Sequence, residues 1–198
     1  MYGEIITAKK PGRVARLGKE VLLRTRRFEV VEAAMRIRGR RISKPYISQN
    51  DCVEVLAVTK KGSVVLIRSY RPELDSYCYE LPSGTLRDGE SPRAGAAREL
   101  LEETGFQAKN IKKMFGGHPL LGYSDCKLHF FMASGLEKEG QHLEDDESIQ
   151  VEEFPLAKVL WLIRSGKISD LNVIPAMYYL QAQMASSFPN RQERRAKG

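Results

Sequence analysis

Cysteine is scarce and poorly placed for bridging: Cys52, Cys78 and Cys126 are odd in number, widely spaced and show no paired zinc-ligand pattern. That argues against a disulfide framework or a zinc module and for reduced thiols in a cytoplasmic protein. No apolar run reaches the length a membrane-spanning helix needs, so no contact with a membrane is expected. The opening stretch MYGEIITAKKPGR lacks the apolar segment of a secretory signal, so export is not expected either. Neither an internal repeat nor a low-complexity segment is present. Histidine is sparse too, and His118, His129 and His142 are each explained as well by loop or strand packing as by chemistry. What remains is 198 residues, 42% of them hydrophobic, enough to bury one sizeable core.

The net charge of +7 is unevenly spread. Residues 1–44 carry 13 Lys/Arg against 4 Asp/Glu and residues 188–198 carry 4 against 1, which leaves 15 against 20 in residues 45–187. The body is acidic and the ends are basic. Basic ends can attract nucleic acid or a polyphosphate. However, no aromatics interleave with the arginines of the tail, as base stacking would require, and a solubilising end explains it equally well.

Residues 1–20 have little periodicity and are expected to form a loose lead-in. From Arg27 the β-branched and aromatic runs of RFEVVEAAMRIRGRRISKPYI predict an antiparallel ribbon turning at Gly39. Residues 52–58 and 63–67 read as the clearest strands, joined at Lys60-Lys61-Gly62. Further strands are expected near 79–81, 111–115, 128–133 and 149–154. Two helices follow, one striped by Leu156, Val159, Leu160 and Ile163, the other over about 173–185 with Pro175 in its first turn. The pattern predicts an α+β fold with helices flanking a mixed sheet.

Between these elements lies GTLRDGESPRAGAARELLEETGF, residues 84–106. Ser91 suits an N-cap, Pro92 the first helical position and Gly105 the stop. On the helix between them, Glu99 and Glu102 are three apart and Glu99 and Glu103 four apart, so three carboxylates share one face. Clustered like charges destabilise a bare helix. A hard divalent cation would turn that cost into a binding site, because it prefers oxygen ligands. Taken as loose residues, the same glutamates also read as a solvated acidic face answered by Arg93 and Arg98.

The stretch resembles the Nudix box, G-x5-E-x7-R-E-U-x-E-E-x-G-U with U a bulky apolar residue. It does so at Gly84, Glu90, Arg98, Glu99, Leu100, Glu102, Glu103, Gly105 and Phe106. The resemblance implies a Nudix αβα sandwich with a mixed β-sheet, here carrying an N-terminal antiparallel β-ribbon. It also implies hydrolysis of a nucleoside diphosphate linked to a group X, assisted by Mg²⁺ or Mn²⁺. By similarity Glu99, Glu102 and Glu103 would hold the metals, Glu102 also counting among the catalytic residues. The Ser83 main-chain carbonyl would be a further ligand, and Arg98 would orient the glutamates through Glu90.

The preceding IRSYRPELDSYCYELPSG is similar to the corresponding stretch of ADP-ribose and nucleotide-sugar pyrophosphatases, which implies that Arg71 and Glu80 contact substrate. On its own, Arg71 also reads as a loop ion-pair former. HLEDDESIQVEEF resembles the family's acidic loop and implies Glu147, with Asp145 second, as general base. In GGHPLLGYSDC, Leu121 and Cys126 depart from that subfamily's pattern, which bears on the choice of sugar more than on the reaction. Cys126 reads as a small buried residue.

Residues 1–47 are thus expected to form an arm and ribbon, packed or exchanged in a homodimer, 48–187 the hydrolase domain, and 188–198 a basic tail. The expected activity is Mg²⁺-dependent cleavage of ADP-ribose or a related nucleoside diphosphate sugar. Two rivals stand beside it: hydrolysis of RNA 5′ ends, suggested by the basic termini, and a nucleotide-sugar sensor that does not cleave, suggested by Leu121 and Cys126.

Overall fold

The structure, a computed structural model, describes residues 14–143 and 148–186, which fall into two units. The first holds the residues up to Asn50 together with His118–Cys126. Its strands β1 (Val14–Arg24), β2 (Glu29–Ile37) and β3 (Arg40–Ser48) form an antiparallel sheet in that order. Arg38 and Gly39, both at positive φ (52° and 79°), make the two-residue turn between β2 and β3 whose twist matches its strands.

The ribbon is therefore three-stranded, and the loose lead-in expected over residues 1–20 is corrected from Val14 onward. Register shifts at Arg16/Gly18 and Val21/Leu23 move the side-chain alternation of β1 from one face to the other. A strand interrupted in that way has no sustained period of two to read. The 118–126 loop joins the same unit. Ile47 N–H donates to the Tyr123 carbonyl (2.8 Å), and the Asp125 carboxylate accepts from Ser48 Oγ (2.7 Å) and Gln49 N–H (3.2 Å).

The second unit is a mixed sheet between helices. Its strands are β4 (Cys52–Val58), β5 (Ser63–Arg71), β6 (Ser76–Glu80), β7 (Ser83–Thr85), β8 (Phe106–Gly117), β9 (Leu128–Lys138) and β10 (Ile149–Pro155). The order is β10-β5-β4-β9-β8, with β6 on β5 and β7 on β4; β4 and β9 run parallel and the other pairs antiparallel. Helix α1 (Pro92–Thr104) follows β7, and α2 (Leu156–Arg164) and α3 (Val173–Ser186) close the chain. None of the described helices is long and apolar enough to cross a membrane.

Central strands are buried on both faces, which is why β4 and β5 are nearly continuous apolar runs. Alternate residues feed separate cores. Val53, Val55 and Ala57 pack with Ala96 and Leu100 of α1, whereas Leu56 packs with Val159 and Leu162 of α2 and Val173 and Met177 of α3. This is the α+β sandwich expected, its sheet covered on each side by helix. The three cysteines form no disulfide, and Cys126 is buried.

Leu100 is fully buried at the contact of α1 with the sheet. Leu100→Ala is expected to destabilise the protein by about 2–5 kcal/mol through lost burial and the cavity left behind. A urea unfolding midpoint measured against the parent checks this.

Candidate active site

The site is built outward from α1. Ser91 has extended backbone and its hydroxyl accepts from Ala94 N–H (3.3 Å), Pro92 follows at the first turn, and Gly105 ends the helix at φ 70° with its N–H on the Leu101 carbonyl. The cap and the stop fix which glutamates face inward. Glu99 and Glu103, four apart, are only 8% and 4% exposed.

One cation holds this face together. Arg98 Nε and Nη2 donate to the two carboxylate oxygens of Glu90, each at 2.8 Å, in the fork geometry that suits guanidinium and carboxylate. Its Nη1 reaches Glu99 Oε1 (2.7 Å) and Glu102 Oε2 (2.9 Å), and Nη2 also reaches the Thr85 carbonyl (3.3 Å). Arg87 adds a contact to Glu102 Oε1 (3.2 Å). The hydrogen bonds from Arg98 lower the Glu90 pKa from 4.5 to about 2 against an opposing effect of desolvation, while the same partners raise that of Arg98.

Glycine at position 84 leaves room for the Glu99 carboxylate. A Cβ built there would lie 2.0 Å from Glu99 Oε1. The backbone of β7 therefore passes directly over the glutamate that Arg98 orients. One residue earlier, Ser83 N–H donates to Glu103 Oε2 (2.7 Å), which ties the helix's last turn to the same strand.

Ser83 also lines a cleft of about 260 Å³ with Arg71, Glu80, Glu54, Asp170 and Asn172. Arg71 and Glu80 sit on neighbouring strands and pair in the cleft wall, Arg71 Nε donating to Glu80 Oε1 at 2.8 Å and Nη2 to Oε2. This hydrogen bonding raises the Arg71 pKa, so its guanidinium stays charged. Arg71 thus makes the ion pair that it also suggested when read on its own, from the end of β5 and not from a loop, and it remains part of the cleft. A more open groove of about 380 Å³, lined by Ser91, Ala94, Ala97 and Lys109 among others, contains no carboxylate and is not a candidate.

Glu54, Asp170 and Asn172 line the cleft and escaped the sequence reading. Glu54 lies in the middle of β4, and Asn172 Nδ2 donates to its Oε1 at 3.0 Å across 118 residues of sequence. Burial holds the Glu54 carboxyl well above the usual carboxylate range, and the charges of Asp170, Glu80 and Glu103 add to the effect. Asp170 is raised as well, again chiefly by burial. A charged residue inside CVEVLAV was the available signal, but it marks nothing without the partner.

The acidic loop is anchored on both sides. Glu139 N–H donates to the Gly105 carbonyl (2.8 Å), Gln141 Nε2 to the Glu103 carbonyl (2.6 Å) and His142 N–H to the Glu102 carbonyl (2.9 Å). These bonds satisfy carbonyls that a helix end leaves open. Beyond the loop, the Ser148 carbonyl accepts from Tyr70 N–H. Glu147 and Asp145, the expected bases, lie outside the described residues.

The donor set fits a hard divalent cation in chemistry and charge. All its side-chain donors are carboxylate oxygens, and Glu90, Glu99, Glu102 and Glu103 set four negative charges against the two positive charges of Arg87 and Arg98. Among the described residues, no three acidic, imidazole or thiol groups stand in a ligating arrangement, and Arg98 bridges Glu99 and Glu102 directly.

Comparisons with known proteins bear on the family and the fold. Residues 49–177 match the NUDIX domain. The chain is similar to the ADP-ribose pyrophosphatase of Bacillus subtilis (strain 168), with 34% identity over 74% of this chain and 80% of that protein. It is also similar to the GDP-mannose pyrophosphatase of Salmonella typhimurium, with 30% identity over 69% of this chain and 75% of that protein. The crystal structure of an ADP compounds hydrolase superposes with a TM-score of 0.80 over 91% of this chain and 98% of that one; at 22% identity it speaks for the fold.

Two outcomes are expected from this geometry. Gly84→Ala should displace the Glu99 carboxylate and lower hydrolytic turnover by more than about tenfold while the thermal midpoint changes little, a split that kinetics and calorimetry on one sample can read. The Glu90–Arg98 pair stabilises the fold above the unfolded carboxylate pKa of 4.5, and that contribution is lost as pH falls toward about 2. Arg98→Ala should therefore flatten the pH dependence of stability across that window; an unchanged slope in acid titration would count against the pairing.

Proposed function

The chain belongs to the NUDIX domain family, and we propose that it hydrolyses the pyrophosphate bond of ADP-ribose or a related nucleoside diphosphate sugar. The products are a nucleoside monophosphate and a sugar phosphate. The observation that carries this reading is the junction at Ser83. There the carboxylate face of α1, through Glu103, meets the cleft holding the Arg71 guanidinium. The names of the two pyrophosphatase relatives support the same substrate class.

In this reading Glu99, Glu102, Glu103 and the Ser83 carbonyl would hold Mg²⁺, or Mn²⁺ in its place. The cation would neutralise phosphate charge and lower the pKa of bound water. Arg71 binds the diphosphate by paired, charge-assisted hydrogen bonds, and Glu80 keeps its guanidinium plane in register. Arg98 positions Glu99 and Glu102 and is itself held by Glu90. Glu147, with Asp145 as second choice, accepts the proton of the water that attacks phosphorus as the P–O anhydride bond breaks. Gln141 and His142 support that assignment by starting the acidic loop at the α1 C-terminus.

We also place the protein in the cytoplasm as a homodimer. Every residue of β1 is exposed, including Val14, Leu17, Val21, Leu22 and Leu23, and an edge strand of that length favours cover by a second copy. The RNA-end reading rests on the basic termini, and no observation among the described residues favours it. Neither does any favour a sensor.

Purified protein with Mg²⁺ is expected to turn over at least one of ADP-ribose, ADP-glucose, UDP-glucose and GDP-mannose, read as phosphate after phosphatase coupling. Glu103→Gln should cut that rate by about 10²-fold or more, since it removes a charged oxygen ligand. A panel left wholly untouched by the parent overturns the reading.

A further inference from the structure

The middle of β4 is an unlikely place for a carboxyl group. On the same face of the strand, Cys52, Leu56 and Val58 contribute to the core packed by α2 and α3, yet Glu54 sits among them only 5% exposed. Asn172 Nδ2 holds its Oε1, and Asn172 is itself placed by donating its N–H to Asp170 Oδ1 (2.9 Å). The other oxygen, Oε2, is buried and has no hydrogen-bond partner. A buried polar atom left unpaired is destabilising, and a ligand donor that reaches it removes the penalty on binding.

We propose that Glu54 and Asn172 form a subsite for a hydroxyl group of the sugar X, adjoining the diphosphate position marked by Arg71 and Ser83. The inference rests on the pyrophosphatase reading and specifies which part of the substrate this end of the cleft receives. All four residues line one cleft. Phosphate oxygens are disfavoured beside Glu54, where Glu80 and Asp170 add negative charge. A cation is disfavoured because the Asn172 amide donor already occupies Oε1 and the Arg71 guanidinium lines the same cleft. An uncharged polyol meets both conditions. Its hydroxyls donate or accept by rotation, so they pair with Oε2 whether or not the carboxyl carries a proton.

The experiment compares ADP-ribose as substrate with ADP as competitive inhibitor, using the full chain and Mg²⁺. ADP keeps the base, nucleoside ribose and diphosphate and lacks X. Glu54→Leu is expected to raise KM for ADP-ribose by about ten- to a hundredfold, with kcat within about threefold and the ADP inhibition constant unchanged. Glu54→Gln, whose amide can also pair with a hydroxyl, should keep KM within about threefold of the parent. If Glu54→Leu fails to fold, Asn172→Ala carries the same test, because it releases the carboxyl from its orientation, and the same split is expected. An unchanged KM in the variants overturns the subsite alone, as does equal weakening of ADP. If the parent turns over another sugar of the panel and not ADP-ribose, the same comparison is made with that substrate and its nucleoside diphosphate. A parent that turns over none of the four overturns the pyrophosphatase reading and the subsite together.

Discussion

The guanidinium of Arg98 is the constraint on which the site depends. Three glutamates, Glu90, Glu99 and Glu102, converge on it, two of them from its own helix. Without it their mutual repulsion would spread them toward solvent. A mostly buried ion-pair network of this kind is a poor source of net stability, because removing the charges from water offsets most of the attraction. What it provides is placement. The fork fixes the plane of Glu90 and leaves Nη1 to set the spacing of Glu99 and Glu102, and a lysine at this position has neither the fork nor the second arm.

Backbone follows from that arrangement. With Glu99 held inward, β7 passes so close that any side chain at position 84 would push the Glu99 carboxylate out of its place. Because β7 lies there, Ser83 can tie Glu103 to the cleft wall, and the Arg71–Glu80 pair sits within reach of the same junction. Gly105 has a matching role at the other end of α1. Its positive φ turns the chain, and a Cβ there would lie 2.7 Å from the Gly140 backbone, the stretch that leads into the acidic loop. Two glycines therefore let a strand and a loop approach one helix closely from either end.

The helix was legible because its signals are local. Ser91, Pro92 and Gly105 mark its ends, and glutamates three and four apart must share a face whatever surrounds them. The strands at 52–58, 63–67 and 128–133 were legible for a similar reason, as apolar runs, although β5 and β9 continue to Arg71 and Lys138. β1 was not, since its two register shifts break the alternation that identifies a strand. The pairing of Arg71 with Glu80 was half visible: both residues stood out, but the β5–β6 register sets Arg71 opposite Ser76 and Glu80 opposite Ile67, and only the two long side chains, reaching along the strands, bring the charges together. Glu54 was invisible, for a polar residue within an apolar strand is read as facing solvent until the sheet is seen covered on both sides.

The sequence by itself pointed to the reaction class through the resemblance of residues 84–106 to the Nudix box, whose glutamates three and four apart share one face of a helix. Only the tertiary structure decided which groups line the cleft. Glu54 and Asn172, 118 residues apart, meet because β4 is central in the sheet and the α2–α3 connection brings Asn172 against it. Burial, partner and missing partner are properties of that packing, and no spacing in the chain encodes them.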